Sequence, residues 1–576
     1  MEGLFDQQPG SFWAVLILYT VLLAGLSFYF ARFVKTSDDF FRASQHTPWW
    51  VAGLSFFMTA FSAAVFVSRA SFAYRFGGLA LLSVAVMLPT FILGYYLFSR
   101  KWHRAGCATA IEYIERRYGP RTARFFILTG VPIRILDNAN RLYVTAVLVS
   151  VLFNCGLLQG IVVTAAIAVL YTITGGFLAV AVTDALQAFV MAIIVIVIAG
   201  LSYAYVGGLS NFLEQTASGY WSLSPNHPEY NIPFELTSGL VGIFSWNGYW
   251  SLVQRFVSVR TERDAQKVAL TGGVALFLLF PLFALPPIFA SVLVPGLDTA
   301  VLSETSYLRV AQMLLPASLL GLFCFALFAA TITALNSELN VISQVLVNDA
   351  LKRQLARASE RTKLFLGRLI ILIVTGLCMG MAMYIPKLGG SFHYLAVLLG
   401  MTSLPSFVPM LAGLLYRRTA GAGAIAAFIA GLSISALLRF GFESTIVVMI
   451  VGNFLATTGI YLLAGVFFPV RDAARLREVN AMFERLRQPR IGDVDEGADT
   501  APSGMGALNL FRICGVCLLL MAIAVLGCSL GHLDTHATSI AITFALFAAT
   551  GVALWFGPGL MRNHRAARMS PGNPTS

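Results

Sequence analysis

The sequence predicts an all-α polytopic membrane protein with about fifteen spanning helices. Three observations carry that reading. Of 576 residues, 58% are hydrophobic and only 11% charged, whereas a soluble domain is roughly a quarter charged. So few charges cannot cover a water-facing surface. The apolar residues fall in runs of roughly 20, the length that crosses a bilayer as a helix. Lys and Arg collect in alternate connecting loops, as the positive-inside rule requires.

The runs lie near 11–32, 48–73, 77–99, 124–153, 159–180, 184–206, 236–258, 270–295, 308–347, 364–386, 391–415, 420–440, 443–468, 510–530 and 538–560. Arg32, Lys35 and Arg42 follow the first span. Arg100, Lys101, Arg104, Arg116, Arg117 and Arg121 follow the third. Arg260, Arg263 and Lys267 follow the seventh, and Lys352, Arg353, Arg357, Arg361 and Lys363 the ninth. Arg417 and Arg418 follow the eleventh, Arg471 to Arg490 the thirteenth, and Arg562, Arg565 and Arg568 the last. The short loop after the fifth span carries neither type, and residues 207–235 contain no Lys or Arg. The alternation places the N-terminus outside and the C-terminus in the cytoplasm. The net charge of +12 is then topological, and no nucleic-acid partner is expected. Acidic residues (Glu2, Asp6) rather than basic ones precede the first apolar run, so no cleavable leader is expected.

Residues 470–508 form the longest polar stretch. They read as a cytoplasmic amphipathic helix (RDAARLREVNAMFERLRQ) followed by a Gly/Asp/Pro/Ser linker, too short for a catalytic domain. No Walker motif is present, which argues against direct ATP drive. Seven cysteines lie mostly in apolar runs, without metal or disulfide spacing. Cys514-x-x-Cys517 falls inside a hydrophobic helix. The histidines are scattered, with His532 and His536 together in one external loop. No nucleophile–base or metal constellation appears, so an enzyme is not expected and no cofactor is called for.

At Tyr171–Met191 the chain reads YTITGGFLAVAVTDALQAFVM. Gly175-Gly176, Ala179-Val180 and Thr183-Asp184-x-x-Gln187 there resemble the sodium:solute symporter family, which includes sodium/proline, sodium/glucose and sodium/sialic-acid symporters. Further pieces agree in order: Glu112-Tyr113 with Glu115-Arg116-Arg117-Tyr118-Gly119; Val253-Gln254-Arg255 with Ala265 and Lys267; and Tyr416-Arg417-Arg418-Thr419 with Gly421-Ala422-Gly423-Ala424. The resemblance covers roughly residues 10–470. It implies a leucine-transporter-type fold of two inverted five-helix repeats, with substrate and ions where the first helix of each repeat is broken. The expected breaks are Thr59-Ala60-Phe61-Ser62 and Ser245-Trp246-Asn247-Gly248. Small and polar residues also occur at ordinary helix contacts in membranes.

The resemblance implies an ion site of hard oxygen ligands, the ligand type hard cations prefer. Aligned on Ser62, Tyr74 and Gly77, its span-two carbonyls fall at Met58 and Phe61. Aligned backwards from Asp349, its span-nine carbonyl falls at Ala330 and its hydroxyl pair at Thr333 and Ala334. Ala334 has no hydroxyl, a departure that leaves four of five ligands. Either the sodium site is weakened or a proton replaces sodium as coupling ion. Asp184 is the candidate for a second ion or the proton, with Asn336 and Ser337 about one turn beyond Thr333. Asp184 alternatively caps span six after Thr183.

The sugar-transporting branch places polar side chains in span two. Ala60, Ala64 and Val65 stand there instead, which disfavours a hexose, because buried hydroxyls need partners. In span four, Arg134, Asp137 and Arg141 share one face. They contact a charged solute, or Asp137–Arg141 is a structural i,i+4 pair. In the sialic-acid branch an arginine of this helix holds the substrate carboxylate, and Asp137 aligns nearest to it. Asn247 and Trp246 of the second break complete the substrate candidates.

The expectation is therefore a secondary transporter in the cell (inner or plasma) membrane. It carries a small polar organic solute by sodium-coupled symport, amino-acid-like or an organic acid or amine rather than a hexose. Alternatives are proton-coupled or uncoupled transport by the same fold, and a solute-sensing membrane protein. The expected partners are the solute, sodium (or a proton) and the lipid bilayer. The expected organisation is 1–47, outer N-terminus and first helix; 48–206, first repeat; 207–235, outer loop; 236–416, second repeat; 417–469, two accessory helices; 470–508, basic cytoplasmic segment; and 509–576, two final helices and a basic tail.

Overall fold

The computed structural model describes residues 10–31, 47–61, 64–107, 109–172, 177–217, 219–223, 225, 227–351, 354–355, 357, 359–488, 507–529 and 533–569. Ser62 of the first expected break, the Gly175-Gly176 pair, the linker after the basic helix and His532 lie outside the described residues.

The helices are α1 (Gly10–Ala31), α2 (Trp49–Ala60), α3 (Ala70–Leu93), α4 (Ser99–Ala105), α5 (Ala110–Tyr118), α6 (Pro120–Phe153), α7 (Leu157–Thr172), α8 (Phe177–Tyr205), α9 (Gly208–Gln215), α10 (Ile232–Gly248), α11 (Trp250–Val257), α12 (Glu262–Leu293), α13 (Ala300–Ser303), α14 (Ser306–Leu314), α15 (Ala317–Gln344), α16 (Glu360–Ala382), α17 (Gly390–Ala412), α18 (Gly421–Ala436), α19 (Ile446–Phe467), α20 (Ala473–Arg487), α21 (Ala507–Ser529) and α22 (Leu533–Met569). Among the described residues 11 helices are long and apolar enough to cross a membrane, and Gly10–Leu26, Trp49–Thr59 and Leu157–Val169 are shorter apolar helices. Within the described residues, the interruptions account for part of the difference from fifteen. Breaks shorten α2 and α10. Expected spans two and three also share one continuous stretch, Val65–Ala105.

Two interruptions organise the core. α2 stops at Ala60, and Phe61 leaves helical geometry at φ −90°, ψ 67°. Helix resumes as a π-turn over Val65–Arg69 that runs into α3. The second interruption is one residue, Tyr249, extended at φ −63°, ψ 131° between α10 and α11. It falls one position after the expected Ser245–Gly248. A third change of direction sits at Gly77 (φ +37°, ψ −105°) within α3. A Cβ added at this glycine would stand 2.5 Å from the Tyr220 carbonyl oxygen and 2.6 Å from its ring, so only glycine fits the approach and the φ.

Local signals set other ends. Asn231 accepts from the Phe234 N–H (3.1 Å) and Thr261 from the Asp264 N–H (3.1 Å), starting α10 and α12 as N-caps do. α6 begins at Pro120 after Gly119 at φ 99°, the usual place for an N1 proline. α12 packs on α2, α3 and α8, α2 on α8, and α15 on α1, α6 and α2. The buried faces form one continuous apolar core through these helices.

α20 is the expected amphipathic helix: Val479, Met482, Phe483 and Leu486 are buried at i, i+3, i+4 and i+7. α21 and α22 pack together and, through α21, on α1. Phe511 stacks on Trp50 at 4.0 Å and Ser529 bonds Ser318 at 2.5 Å. Cys514 and Cys517 are buried, unlinked thiols within α21.

Candidate functional site

Both interruptions face one cavity of about 250 Å³. Thr59 and Phe61 at the end of α2, then Ala64, Val65 and Ser68, line one side. Ser245, Trp246 and Tyr249 line another, and Asp137, Asn140 and Arg141 of α6 a third. A helix that stops inside protein leaves its last carbonyls without i+4 donors. Such unwound backbone is tolerated at membrane depth where it is buried or lines a cavity.

The polar centre of the wall is a charged cluster. Asp137 Oδ2 accepts from Arg141 Nε at 3.3 Å and from the Tyr249 hydroxyl. Arg141 Nη1 reaches the Thr59 carbonyl at 3.4 Å, which sets a cation against the negative end of α2. The Asp137–Arg141 pair is thus part of the cavity wall. Arg69, also on the wall, donates to Ser83 at 3.4 Å and lies 3.9 Å from Glu235. Hydroxyls along the wall also bond within the protein. Ser245 donates to the Val241 carbonyl at 2.9 Å, and Ser68 bonds Ser391.

The other substrate candidates separate. Trp246 lines the cavity and packs against Phe56 and Phe91, with ring centroids at 5.8 and 5.2 Å. Asn247 is buried and tied to backbone. Its amide donates to the carbonyls of Thr90 (3.1 Å) and Ile243 (2.9 Å), and its own backbone carbonyl accepts from Trp102 (2.8 Å). Its side chain fastens α10 to α3 and is not part of the cavity wall.

Of the ion candidates, Met58 and Phe61 are buried at the end of α2. Ala330, Thr333 and Ala334 are buried on α15, which packs on α2. Thr333 donates its hydroxyl hydrogen to the Ala329 carbonyl (2.8 Å), which leaves oxygen lone pairs for another contact. Ser337 donates back to the Thr333 carbonyl (3.0 Å), and Asn336 is buried. Asp184 lies about two turns inside α8, which starts at Phe177, so it is not a helix cap. It accepts from the Ser55 hydroxyl at 2.6 Å and pairs with Arg255 at 3.8 Å. Among the described residues no cluster of His, Cys, Asp or Glu is arranged to hold a metal ion.

The family described as "Sodium:solute symporter family" matches residues 40–431. The chain belongs to the sodium:solute symporter family. Its relatives include a sodium/glucose cotransporter of Vibrio parahaemolyticus, 25% identical over 462 residues that span 74% of this chain and 84% of that protein. Sodium/myo-inositol cotransporter 2 of Sus scrofa is 26% identical over 478 residues, 73% of this chain and 68% of that one. Among solved structures, a Na+-coupled sialic acid symporter in a substrate-bound outward-open state superposes with a TM-score of 0.68 at 21% identity, covering 80% of this chain and 98% of that one. This symporter therefore has a transporter fold, is a multi-pass membrane protein and is not an enzyme.

Two charged partners in this symporter escape sequence reasoning. Glu338 on α15 binds Arg134 at 2.8 Å, and Arg255 binds Asp184. A lone acid or base within an apolar span is costly and needs a partner. That signal is present for Arg134, Glu338 and Arg255 alike. Which acid meets which base depends on helix packing, and spacing along one helix cannot give it.

Proposed function

We propose that this symporter carries a small polar organic solute into the cell by sodium-coupled symport and alternating access. The solute is amino-acid-like, or an organic acid or amine, rather than a hexose. The observation that carries the reading is the Asp137–Arg141–Tyr249 cluster on the wall of a cavity bounded by both helix interruptions. It offers a carboxylate and a guanidinium side by side, suited to the ammonium and carboxylate of a zwitterion or to one of them alone. The side chains of Ala64 and Val65 on the facing wall offer no hydrogen-bond partner to the ring of hydroxyls on a sugar. A site that leaves such hydroxyls unpaired rejects them strongly. Relatives that carry glucose or myo-inositol make the hexose the necessary control.

In this reading Met58, Phe61, Ala330 and Thr333 hold the sodium ion. Asp184, with Asn336 and Ser337, serves a second ion or its exit path. The repeats are 48–206 and 236–416, the N-terminus is outside, the C-terminus is cytoplasmic, and the membrane is the cell membrane. Purified protein melted in sodium, potassium or choline chloride, against amino acids, organic acids, amines and hexoses at two pH values, tests it. A ligand of the folded state raises the midpoint. A sodium-specific rise that deepens with an amino acid, acid or amine supports the reading. A rise that deepens with glucose alone refutes the solute class, and a solute shift that ignores sodium and follows pH refutes sodium coupling.

A further inference from the structure

The pair Arg134–Glu338 bridges regions to which the proposed function gives separate jobs. Glu338 lies on α15, four residues beyond Ala334 and five beyond Thr333. Its side chain is 0% exposed, and Oε2 accepts from Arg134 Nη1 at 2.8 Å. Among the described residues Oε1 has no hydrogen-bond donor. Arg134, 5% exposed, projects from α6 one turn before Asp137. Its guanidinium lies 4.4 Å from the centroid of the Tyr249 ring and 3.9 Å from that of Trp250.

These two aromatics are the extended residue between α10 and α11, the candidate hinge, and the first residue of α11. Tyr249 in turn donates to Asp137, which holds Arg141, which reaches Thr59 at the first interruption. The sequence of contacts runs from the ion-side helix through one guanidinium to the solute cavity and both helix ends. Stacking of a planar guanidinium between rings, with a carboxylate at its edge, fixes position in a way an ammonium cannot. A buried ion pair is weak evidence for stability, since apolar replacements often fold as well, and holding one defined arrangement is its better-attested use.

We propose that Arg134 and Glu338 are positioning residues that couple the ion-side face of α15 to the Tyr249 hinge. Through this contact the effect of sodium on α15 reaches the backbone at Tyr249. This rests on the sodium-symport reading. Arg134 touches neither ion nor solute; it sets where Tyr249 and Asp137 stand.

The test uses sodium alone as the probe. Amide hydrogen exchange of the full chain is followed in sodium chloride and in potassium chloride, for peptides covering 327–340 and 243–252. In the wild type, sodium slows exchange in both segments, by about tenfold at the hinge, within the usual range of coupling between sites. If sodium slows exchange nowhere in the wild type, the symport reading itself fails. In the double variant Arg134→Met/Glu338→Met, which removes both charges together, protection remains at 327–340 and disappears at 243–252. Protection kept in both segments overturns the proposal. Protection lost from both also overturns it, because the pair would then serve the ion site itself. Arg134→Lys is measured in parallel, so a double variant that does not fold leaves a deciding case. It keeps the charge and loses the stacked plane, so sodium protection at the hinge should fall while 327–340 is unchanged; wild-type protection at the hinge overturns the proposal.

Discussion

Arg255 lies 3.8 Å from the Asp184 carboxylate, and Ser55 touches both, donating to Asp184 at 2.6 Å and accepting from Arg255 Nε at 3.3 Å. The three residues come from α8, α11 and α2, so one buried contact ties the stretch before the first interruption to the helix after the second. Removing one member of a buried pair strands the other charge, at a cost of about 3–5 kcal/mol, whereas replacing both with apolar groups is often near neutral. Asp184→Leu or Arg255→Met alone should therefore lower the melting temperature markedly, and the double variant should recover most of the loss. A double variant no better than the worse single would show that the pair is not what holds these helices.

Ala334 stands where the proposed sodium site would otherwise have a second hydroxyl. Ala334→Ser returns an oxygen beside Thr333 on a buried face of α15. One added polar contact is worth about 1 kcal/mol, so the sodium concentration for half-maximal stabilisation should fall roughly fivefold. An unchanged sodium titration would count against a site weakened at that position.

Asp137 and Arg141 form a charged pair on the wall of the cavity. Asp137→Asn or Arg141→Lys should weaken solute-induced stabilisation roughly ten- to hundredfold, the worth of a charge-assisted contact, while the response to sodium alone persists. Asn247→Ala should act differently. It removes the tie to the Thr90 carbonyl, so it should lower the melting temperature without selectively changing solute affinity. Equal effects of the Asp137 and Asn247 variants on solute affinity would contradict this division.

Glu304 lies between the spanning helices α12 and α15 and accepts from the Tyr143 hydroxyl (2.7 Å) and the Ser391 N–H at the start of α17. Burial pushes its carboxyl up to about 7, against the two hydrogen bonds that favour the charged form. An acid with a raised folded pKa binds its proton more tightly when folded. Its contribution to stability is greatest below the ordinary glutamate range and declines as pH rises through that range towards 7. Melting temperatures from pH 5 to 8 should show this decline in the wild type and a shallower one in Glu304→Gln. Equal slopes would mean that Glu304 does not titrate in that window.

Much of the architecture is legible in the sequence because most spans are runs long enough to cross a bilayer and several helix ends carry a local signal. The first interruption is readable at Thr59–Phe61. The second falls one residue beyond its expected place. Ser245–Gly248 looks polar enough to break, yet the chain stays helical through Gly248 and opens at Tyr249. The charged face Arg134–Asp137–Arg141 is visible as a pattern on one helix. Its division is not: Arg134 turns to Glu338 on α15, whereas Asp137 and Arg141 turn to the cavity. Asn247 looks like a cavity residue by type and position, yet the close passage of α3 recruits its amide for the Thr90 carbonyl.

The C-terminal helices make a further test. Trp50–Phe511 and Ser318–Ser529 join α21 to the core, and among the described residues none of α21 or α22 lines the cavity. A chain ending at about residue 505 should melt at a lower temperature yet retain uptake. Loss of uptake with the fold intact would favour the solute-sensing reading over a self-sufficient transport core.

The most direct measurement is uptake into proteoliposomes loaded with potassium, using whichever amino acid, organic acid or amine stabilises the protein most in sodium. An inward sodium gradient should drive accumulation above equilibrium, and replacing external sodium with potassium or choline should abolish it, with or without an imposed proton gradient. Accumulation that follows the proton gradient and ignores sodium, or simple equilibration under every gradient, would contradict sodium-coupled symport.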